Sequence, residues 1–135
     1  MEAQQMQIGE VASLTGLSLR TIRYYEEMGL VAPSTRTTGG FRLYTASDVA
    51  RLKVVKRMKP LDFRLEEMKD LLETLDGLGG AQGSRRDDLV SKLEMYLEAA
   101  QARVAAVREQ LAIADGFASD LSAELSRHKN AREKR

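Results

Sequence analysis

The most informative absence in this 135-residue chain is cysteine, of which there is none. Without thiols the chain can form no disulfides, no thiolate metal sites and no iron–sulfur clusters. Its one histidine, His128, lies in a polar stretch without a carboxylate cluster and does not indicate a metal site. The sequence also lacks a Ser/His/Asp set, a glycine-rich phosphate loop and paired carboxylates. We therefore expect no cofactor, no metal and no enzymatic activity.

Long apolar runs are missing as well. No segment approaches the ~20 apolar residues of a membrane span, and the polar start MEAQQMQ does not resemble a signal peptide. We expect a cytoplasmic chain without a membrane partner. The length suits one modest domain with an extension.

The net charge of +1 hides an uneven distribution. Residues 1–64 carry a net charge of +4, and residues 65–135 carry −3. A basic half is what attraction to nucleic-acid phosphates predicts, although mixed surface charge remains the alternative.

The segment IGEVASLTGLSLRTIRYYEEMGL, residues 8–30, predicts two helices joined by a tight turn. Gly16 breaks the first helix, Ser18 is a good N-cap for the second, and Gly29 with Pro33 ends it. Periodicity predicts the buried positions Ile8, Val11, Ala12, Leu14, Leu19, Ile22 and Met28. Two helices with this turn, the second rich in arginine and tyrosine, are the layout of a DNA-reading helix-turn-helix.

A hairpin is predicted next, with its turn at residues 37–40 (TTGG). Strand alternation would put Phe41 and Leu43 on one face and Arg42 and Tyr44 on the other. In a winged helix-turn-helix the second face would lie against the phosphate backbone.

A third helix is predicted from Thr45, with Asp48 completing a capping box, to Pro60. Its buried stripe would be Val49, Leu52, Val55 and Met58, and its cations would either reach phosphates or lie on a solvated face. Residues 60–64 would form a second, smaller wing, and residues 65–76 a fourth helix. We therefore assign residues 1–76 to a DNA-binding domain.

The composition of residues 77–84 predicts a flexible linker. Apolar residues then recur in alternating steps of three and four over residues 85–126, which is typical of a coiled coil and requires a partner. Gly116 weakens the helix, which would bend or end near residues 115–116. Residues 127–135 would be a frayed, charged tail.

The run TIRYYEEMGL, followed by GGFRLY and DVARL, resembles the DNA-binding domain of the MerR family of bacterial transcription regulators over residues 6–75. The resemblance implies a mainly α fold, in which a winged helix-turn-helix precedes a long helix that pairs antiparallel in a homodimer. It also implies binding to double-stranded DNA at a palindromic promoter site, distortion of that DNA, and RNA polymerase as a further candidate partner. The chain departs from the family pattern at Asp62, where glycine is usual, and at Arg64, where a Ser/Thr cap is usual.

The predicted DNA contacts are the arginines and hydroxyl-bearing residues of the second helix and its cap, together with residues of the wing and of the second wing. Arg20 and Arg23 are the main base-reading candidates, and Tyr24 is expected to point outward. Tyr44 would either touch DNA or pack under the wing. The full set is Ser18, Arg20, Thr21, Arg23, Tyr24, Arg36, Arg42, Tyr44, Lys59 and Arg64. The predicted dimerisation residues are Val90, Leu93, Leu97, Ala100, Val104, Val107, Leu111 and Ala114.

Two other functions stay open, an architectural DNA-binding protein and a coiled-coil adaptor for a protein partner. The effector is also open. An apolar ligand at the dimer interface, a protein partner at the tail and the absence of any effector are the alternatives.

Overall fold

A computed structural model describes residues 5–32 and 35–133, and the chain forms two compact units, Met1–Tyr96 and Leu97–Arg135. The described helices and strands are β1 (Met6–Gln7), α1 (Ile8–Thr15), α2 (Leu19–Glu27), β2 (Thr35–Arg36), β3 (Arg42–Tyr44), α3 (Ala46–Met58), a 3-10 helix (Lys59–Leu61), α4 (Leu65–Leu78) and α5 (Gly83–Glu133). This order confirms the predicted mainly α fold with a small winged sheet and a long C-terminal helix. None of the described helices is long and apolar enough to cross a membrane.

The core of the first unit is built on α3. All four predicted stripe positions are buried, namely Val49, Leu52, Val55 and Met58. The N-terminus of the helix has the predicted capping box, in which Thr45 accepts from the Asp48 N–H at 3.3 Å and Asp48 accepts from the Thr45 N–H at 2.9 Å. The apolar spacing and the cap therefore agree on where α3 begins and which face it buries.

The two shorter helices bury fewer residues than predicted. Val11 and Ile22 are fully buried, but Leu14, Leu19 and Met28 are 50%, 41% and 41% exposed, so their assignment to the core was wrong. In α1 the buried face instead follows the i, i+4 pair Val11 and Thr15, with the Thr15 hydroxyl donating to the Val11 carbonyl at 2.8 Å. Helices of eight and nine residues expose one side, and these leucines lie at its edge.

Gly29 ends α2 as predicted. It has φ 83°, its N–H donates to the Glu26 carbonyl at 3.1 Å, and the Leu30 N–H donates to the Tyr25 carbonyl at 3.0 Å. This pair of bonds is a Schellman motif, which favours glycine because of its left-handed backbone. Pro33, the predicted stop signal, lies outside the described residues.

The wing is a three-stranded sheet in the order β1-β3-β2, with the antiparallel pairs Met6↔Tyr44 and Thr35↔Leu43. The sequence pattern did not predict the strand β1. It also placed Tyr44 on an outer face with Arg42, whereas Tyr44 is fully buried. Pairing with β1 closes one edge of β3, and the Tyr44 hydroxyl bonds to Glu26 of α2, while Phe41 precedes β3 and is 65% exposed.

The second wing is the 3-10 helix followed by Asp62, which has a left-handed backbone with φ 63°. A non-glycine residue there is strained by roughly 1–2 kcal/mol, less for aspartate, which tolerates this region. Arg64 occupies the N-cap position of α4, but a guanidinium has no acceptor and cannot cap. Only the reverse half of a capping box forms, in which the Arg64 N–H donates to Glu67 Oε1 at 2.8 Å.

The start of α5 is attached to α4 by a carboxylate. Asp70 accepts from Lys92 Nζ at 2.7 Å through Oδ1 and from the Tyr96 hydroxyl at 2.6 Å through Oδ2. The Tyr96 ring also lies 6.4 Å, centroid to centroid, from the Phe63 ring. Lys92 and the Tyr96 hydroxyl hold the pKa of Asp70 below its usual value, whereas burial and this contact raise the pKa of Tyr96.

Three predictions about the C-terminal half were wrong. The linker is shorter than residues 77–84, because α4 continues to Leu78 and α5 already begins at Gly83. The helix shows no break near residues 115–116, since one glycine costs only about 1 kcal/mol within a long run of helix formers. The tail is helical to Glu133. Glu124 supports it, because its Oε2 lies 2.6 Å from Arg127 Nη2 and 3.3 Å from His128 Nε2.

Replacing Arg64 with serine should stabilise the protein by about 1 kcal/mol, because serine supplies the missing acceptor at the start of α4. The measurement is urea unfolding at one fixed protein concentration. Arg64→Ala is the matched control, as it removes the same charge without adding an acceptor. Equal midpoints for the serine and alanine variants would contradict this account of the cap.

Asp70→Asn should destabilise the protein at neutral pH because the ion pair with Lys92 is lost. Since folding lowers the pKa of Asp70, its contribution is present above the unfolded pKa and disappears as the pH falls through the folded pKa. The wild-type advantage should therefore shrink below about pH 4. Thermal unfolding from pH 7 downward measures it, with Glu73→Gln on the exposed side of α4 as control. An advantage that did not depend on pH would argue against the ion pair.

Candidate nucleic-acid interface

The candidate interface is centred on α2, which is capped at its N-terminus by a serine. The Ser18 Oγ accepts from the Thr21 N–H at 3.1 Å and lies 2.8 Å from the Thr21 Oγ1. This confirms the predicted N-cap. Both hydroxyls, which were also predicted DNA contacts, thus lie at the positive end of the helix dipole, where anions are favoured.

The inner face of α2 determines which side chains remain outside. Ile22 and Tyr25 are buried, so Arg20 and Arg23 project from the outer face. Tyr24 is 47% exposed, which confirms its predicted outward position, and its ring lies 5.6 Å from that of Tyr25. Burial, followed by the neighbouring Tyr24, raises the pKa of Tyr25 above its ordinary value.

A groove of about 490 Å³ runs between α2 and the second wing. Arg20, Thr21 and Tyr24 line one side, and Lys59 lies on the other beside Asp62. The apolar part of the lining consists of Tyr25, Phe63, Leu65 and Met68. Four of the predicted contacts therefore share one cationic groove, which has the charge and the hydroxyl groups to hold a phosphate. Arg64 is exposed but does not line it.

The tip of the hairpin has a tight turn at residues 37–40. The Thr37 N–H donates to the Phe41 carbonyl at 2.8 Å and the Gly40 N–H to the Thr37 carbonyl at 2.9 Å, with Gly40 at φ 84°. Arg36 is exposed before this turn, and its Nη1 lies 3.5 Å from the Gly40 carbonyl oxygen. The turn thus projects an arginine from the tip of the wing.

Arg36 and Arg42 lie directly opposite each other on β2 and β3. Like charges in a cross-strand pair destabilise a hairpin. Glu26, in the last turn of α2, offsets this repulsion because its Oε1 lies 2.8 Å from Arg42 Nε. The Nε–H forms no hydrogen bond with a described residue, so the contact is an ion pair.

Tyr44 does not reach the surface, so of its two predicted alternatives the structure favours packing under the wing over a DNA contact. Its hydroxyl donates to Glu26 Oε2 at 2.7 Å, and burial followed by this hydrogen bond raises its pKa. Tyr44 therefore supports the wing from inside.

Sequence analysis missed the roles of Glu26, Lys56 and Arg51. Lys56 donates to the Thr15 carbonyl at 2.8 Å and so caps α1, while Arg51 donates to the Leu30 carbonyl at 3.1 Å and pairs with Asp76. The partners of Lys56 and Arg51 lie 21 to 41 residues away along the chain, and those of Glu26 lie 16 and 18 residues away, so no local pattern indicates these contacts. Two cations of α3 thus act within the unit.

The predicted dimerisation residues lie along α5 and differ in exposure. Val90, Leu93, Ala100 and Val104 are half-buried, whereas Leu97, Val107, Leu111 and Ala114 are exposed. The exposed part of α5 also carries Ile113, Phe117, Leu121 and Leu125, each more than half exposed. This is a long apolar surface for one helix.

Comparisons with known proteins agree with this geometry. The family model described as MerR HTH family regulatory protein matches residues 6–75, and the model described as MerR, DNA binding matches residues 49–113. The regulator CueR of Escherichia coli O6:H1 is 34% identical over 123 residues, which cover 88% of each chain. The regulator ZntR of Escherichia coli K12 is 46% identical over 65 residues, which cover 48% of this chain and 46% of ZntR. The match thus spans about half the length of ZntR.

The fold is also shared with solved structures. HiNmlR, a MerR family regulator lacking the sensor domain and solved bound to promoter DNA, superposes with a TM-score of 0.62 at 20% identity, covering 83% of this chain and 86% of that one. One family model covers more than half of the chain, and CueR matches it over most of its length. This chain therefore belongs to the MerR family of helix-turn-helix transcription regulators, which is not an enzyme class.

Proposed function

We propose that the protein is a homodimeric regulator that binds a palindromic promoter site in double-stranded DNA and alters transcription by distorting that DNA. The observation that carries the proposal is the outer face of α2. There Arg20, Arg23 and Tyr24 project between the hairpin and the second wing. Family membership supplies the regulatory class, and this chain's own residues supply the proposed DNA contacts.

Arg20 and Arg23 are the base-reading residues of the proposal. Both are exposed within the first five residues of α2. An arginine there can donate two hydrogen bonds to the O6 and N7 of guanine in the major groove. Tyr24 reaches a phosphate through its hydroxyl, with its ring held against Tyr25.

The two wings hold the phosphate backbone on either side of α2. Arg36 and Arg42 serve this role in the hairpin, and Lys59 and Arg64 serve it in the second wing. Ser18 and Thr21 add hydroxyls at the helix N-terminus. Such contacts position the protein without reading sequence.

The exposed apolar seam of α5 supports pairing with a second copy of the chain. Leu97, Val107 and Leu111 are 56%, 44% and 58% exposed. Burying each leucine would contribute roughly 1.5–3 kcal/mol. An antiparallel pair of α5 helices is the proposed arrangement, and its two-fold symmetry would present two α2 helices to a palindrome.

Distortion of the promoter and contact with RNA polymerase are part of the proposal by family membership. Binding that depends on bending draws specificity from DNA deformability as well as from base contacts. Some relatives bear names that refer to heavy metals, but this chain contains no cysteine, so we propose no thiolate metal response. For the effector, the alternatives remain an apolar ligand at the dimer interface, a protein partner at the tail and the absence of any effector.

Selection from a random duplex library at near-physiological salt should recover one inverted repeat with fixed half-site spacing. Arg23→Ala should weaken binding to that repeat by roughly 10- to 100-fold, because one bidentate base contact is lost. Arg86→Ala, which removes an exposed arginine near the start of α5, is the charge-matched control and should change binding less than twofold. Titration by fluorescence anisotropy measures both. Diffuse enrichment with a steep salt dependence would instead favour architectural binding.

Light scattering should give a mass twice the 15.0 kDa of the chain. Leu111→Glu should shift the protein to monomer at micromolar concentration because it places a charge in the seam. Ala102→Glu, which lies half a turn around the helix from Leu111 and is exposed, should remain dimeric. A monomeric wild-type protein would contradict the homodimer and favour a coiled-coil adaptor for another protein.

A further inference from the structure

Glu26 connects the reading helix with the wing through both of its oxygens. Oε2 accepts from the Tyr44 hydroxyl at 2.7 Å, and Oε1 lies 2.8 Å from Arg42 Nε. Its side chain is only 12% exposed, although it belongs to the same helix as the exposed Arg20, Arg23 and Tyr24. One carboxylate thus contacts two residues of β3 that lie 16 and 18 positions further along the chain.

This arrangement controls which part of Arg42 is available to a ligand. A guanidinium has five N–H groups, one on Nε and four on the terminal nitrogens. With Nε against Glu26, the four terminal N–H groups remain for an acceptor, and the Arg42 side chain is 34% exposed. The contact at Nε thereby restricts the otherwise flexible Arg42 side chain.

We propose that Glu26 is a positioning residue that aims the Arg42 guanidinium at a DNA phosphate, and so sets the alignment between the hairpin wing and α2. The inference rests on the proposed DNA-binding function and assigns a role to a residue that does not itself touch DNA. Arg36 lies directly opposite Arg42, so the carboxylate also offsets the repulsion between like charges in this cross-strand pair.

The opposite expectation follows if Glu26 acts only as an acidic group near DNA. In that case its neutralisation would strengthen binding to every duplex, because one repulsion of phosphates is removed. A positioning role predicts weaker binding to both duplexes, because a phosphate contact is lost, and a larger loss on the specific site, because the alignment of the wing with α2 also affects base reading. The ratio of specific to non-specific affinity therefore separates the two roles.

The test compares Glu26→Gln with Glu27→Gln, using the selected inverted repeat and a scrambled duplex at several salt concentrations. Glutamine keeps an acceptor for Tyr44 but loses the charge that holds Arg42. Glu27 is the neighbouring, exposed carboxylate, so its substitution removes the same charge from the same helix. We expect Glu26→Gln to lower the affinity for the specific site about tenfold. It should also make the plot of log binding constant against log salt concentration less steep, by about the amount of one phosphate contact. Glu27→Gln should do neither.

A double-mutant cycle links the effect to Arg42. In an Arg42→Ala background, Glu26→Gln should have no further effect on specific binding, since there is no guanidinium left to aim. A purely structural role through Tyr44 would persist in that background. Arg42→Lys keeps a positive charge beside Glu26 but loses the planar guanidinium whose N–H groups are directed at the phosphate. It should also lose specific affinity, and this test stands even if Glu26→Gln fails to fold.

The outcomes are distinct. Equal behaviour of Glu26→Gln and Glu27→Gln, or an undiminished Glu26 effect without Arg42, would overturn the positioning role while wild-type binding stands. A wild-type protein that selects no inverted repeat would overturn the proposed function itself, and the positioning role with it.

Discussion

Burial of one face of α2 is the constraint on which the candidate interface depends. Ile22 has no exposed surface and Tyr25 is 4% exposed, and their three-residue spacing fixes the rotation of the helix. With that rotation set, Arg20, Arg23 and Tyr24 can only face outward. Truncation of a residue such as Ile22 to alanine typically costs 2–5 kcal/mol. The chemistry of the outer face thus depends on apolar packing beneath it.

Several cations of the first unit make contacts within that unit, although their number alone would suggest a strongly basic surface. Of the cations on α3, Lys56 caps α1 and Arg51 binds the Leu30 carbonyl and Asp76. Arg42 is paired with Glu26 even though it belongs to the wing. The net charge of residues 1–64 therefore overstates the charge available to phosphates. What matters is which cations lie on the surface between the wing and the second wing.

The two departures from the family pattern have different structural outcomes. Asp62 adopts the left-handed backbone that explains why glycine is usual there, and it accepts some strain. Arg64 leaves the α4 N-cap without an acceptor, and Glu67 compensates for only one half of the capping box. The second wing keeps its place beside α2 in spite of both, since Lys59 and Asp62 line the groove shared with Arg20.

The sequence by itself determined the features that depend on local spacing. These include the N-cap at Ser18, the glycine end of α2 and the capping box of α3 with its buried stripe, each encoded within one helix or its ends. They also include the family, whose motifs are spread over residues 6–75. Tertiary structure decided the burial of Tyr44, its bond to Glu26, the pairing of β1 with β3 and the roles of Lys56 and Asp70. Those contacts join residues far apart in the chain, and strand alternation cannot tell which face another element will cover. The continuity of α5 past Gly116 was decided by the sum of its neighbours' helix propensities rather than by one glycine.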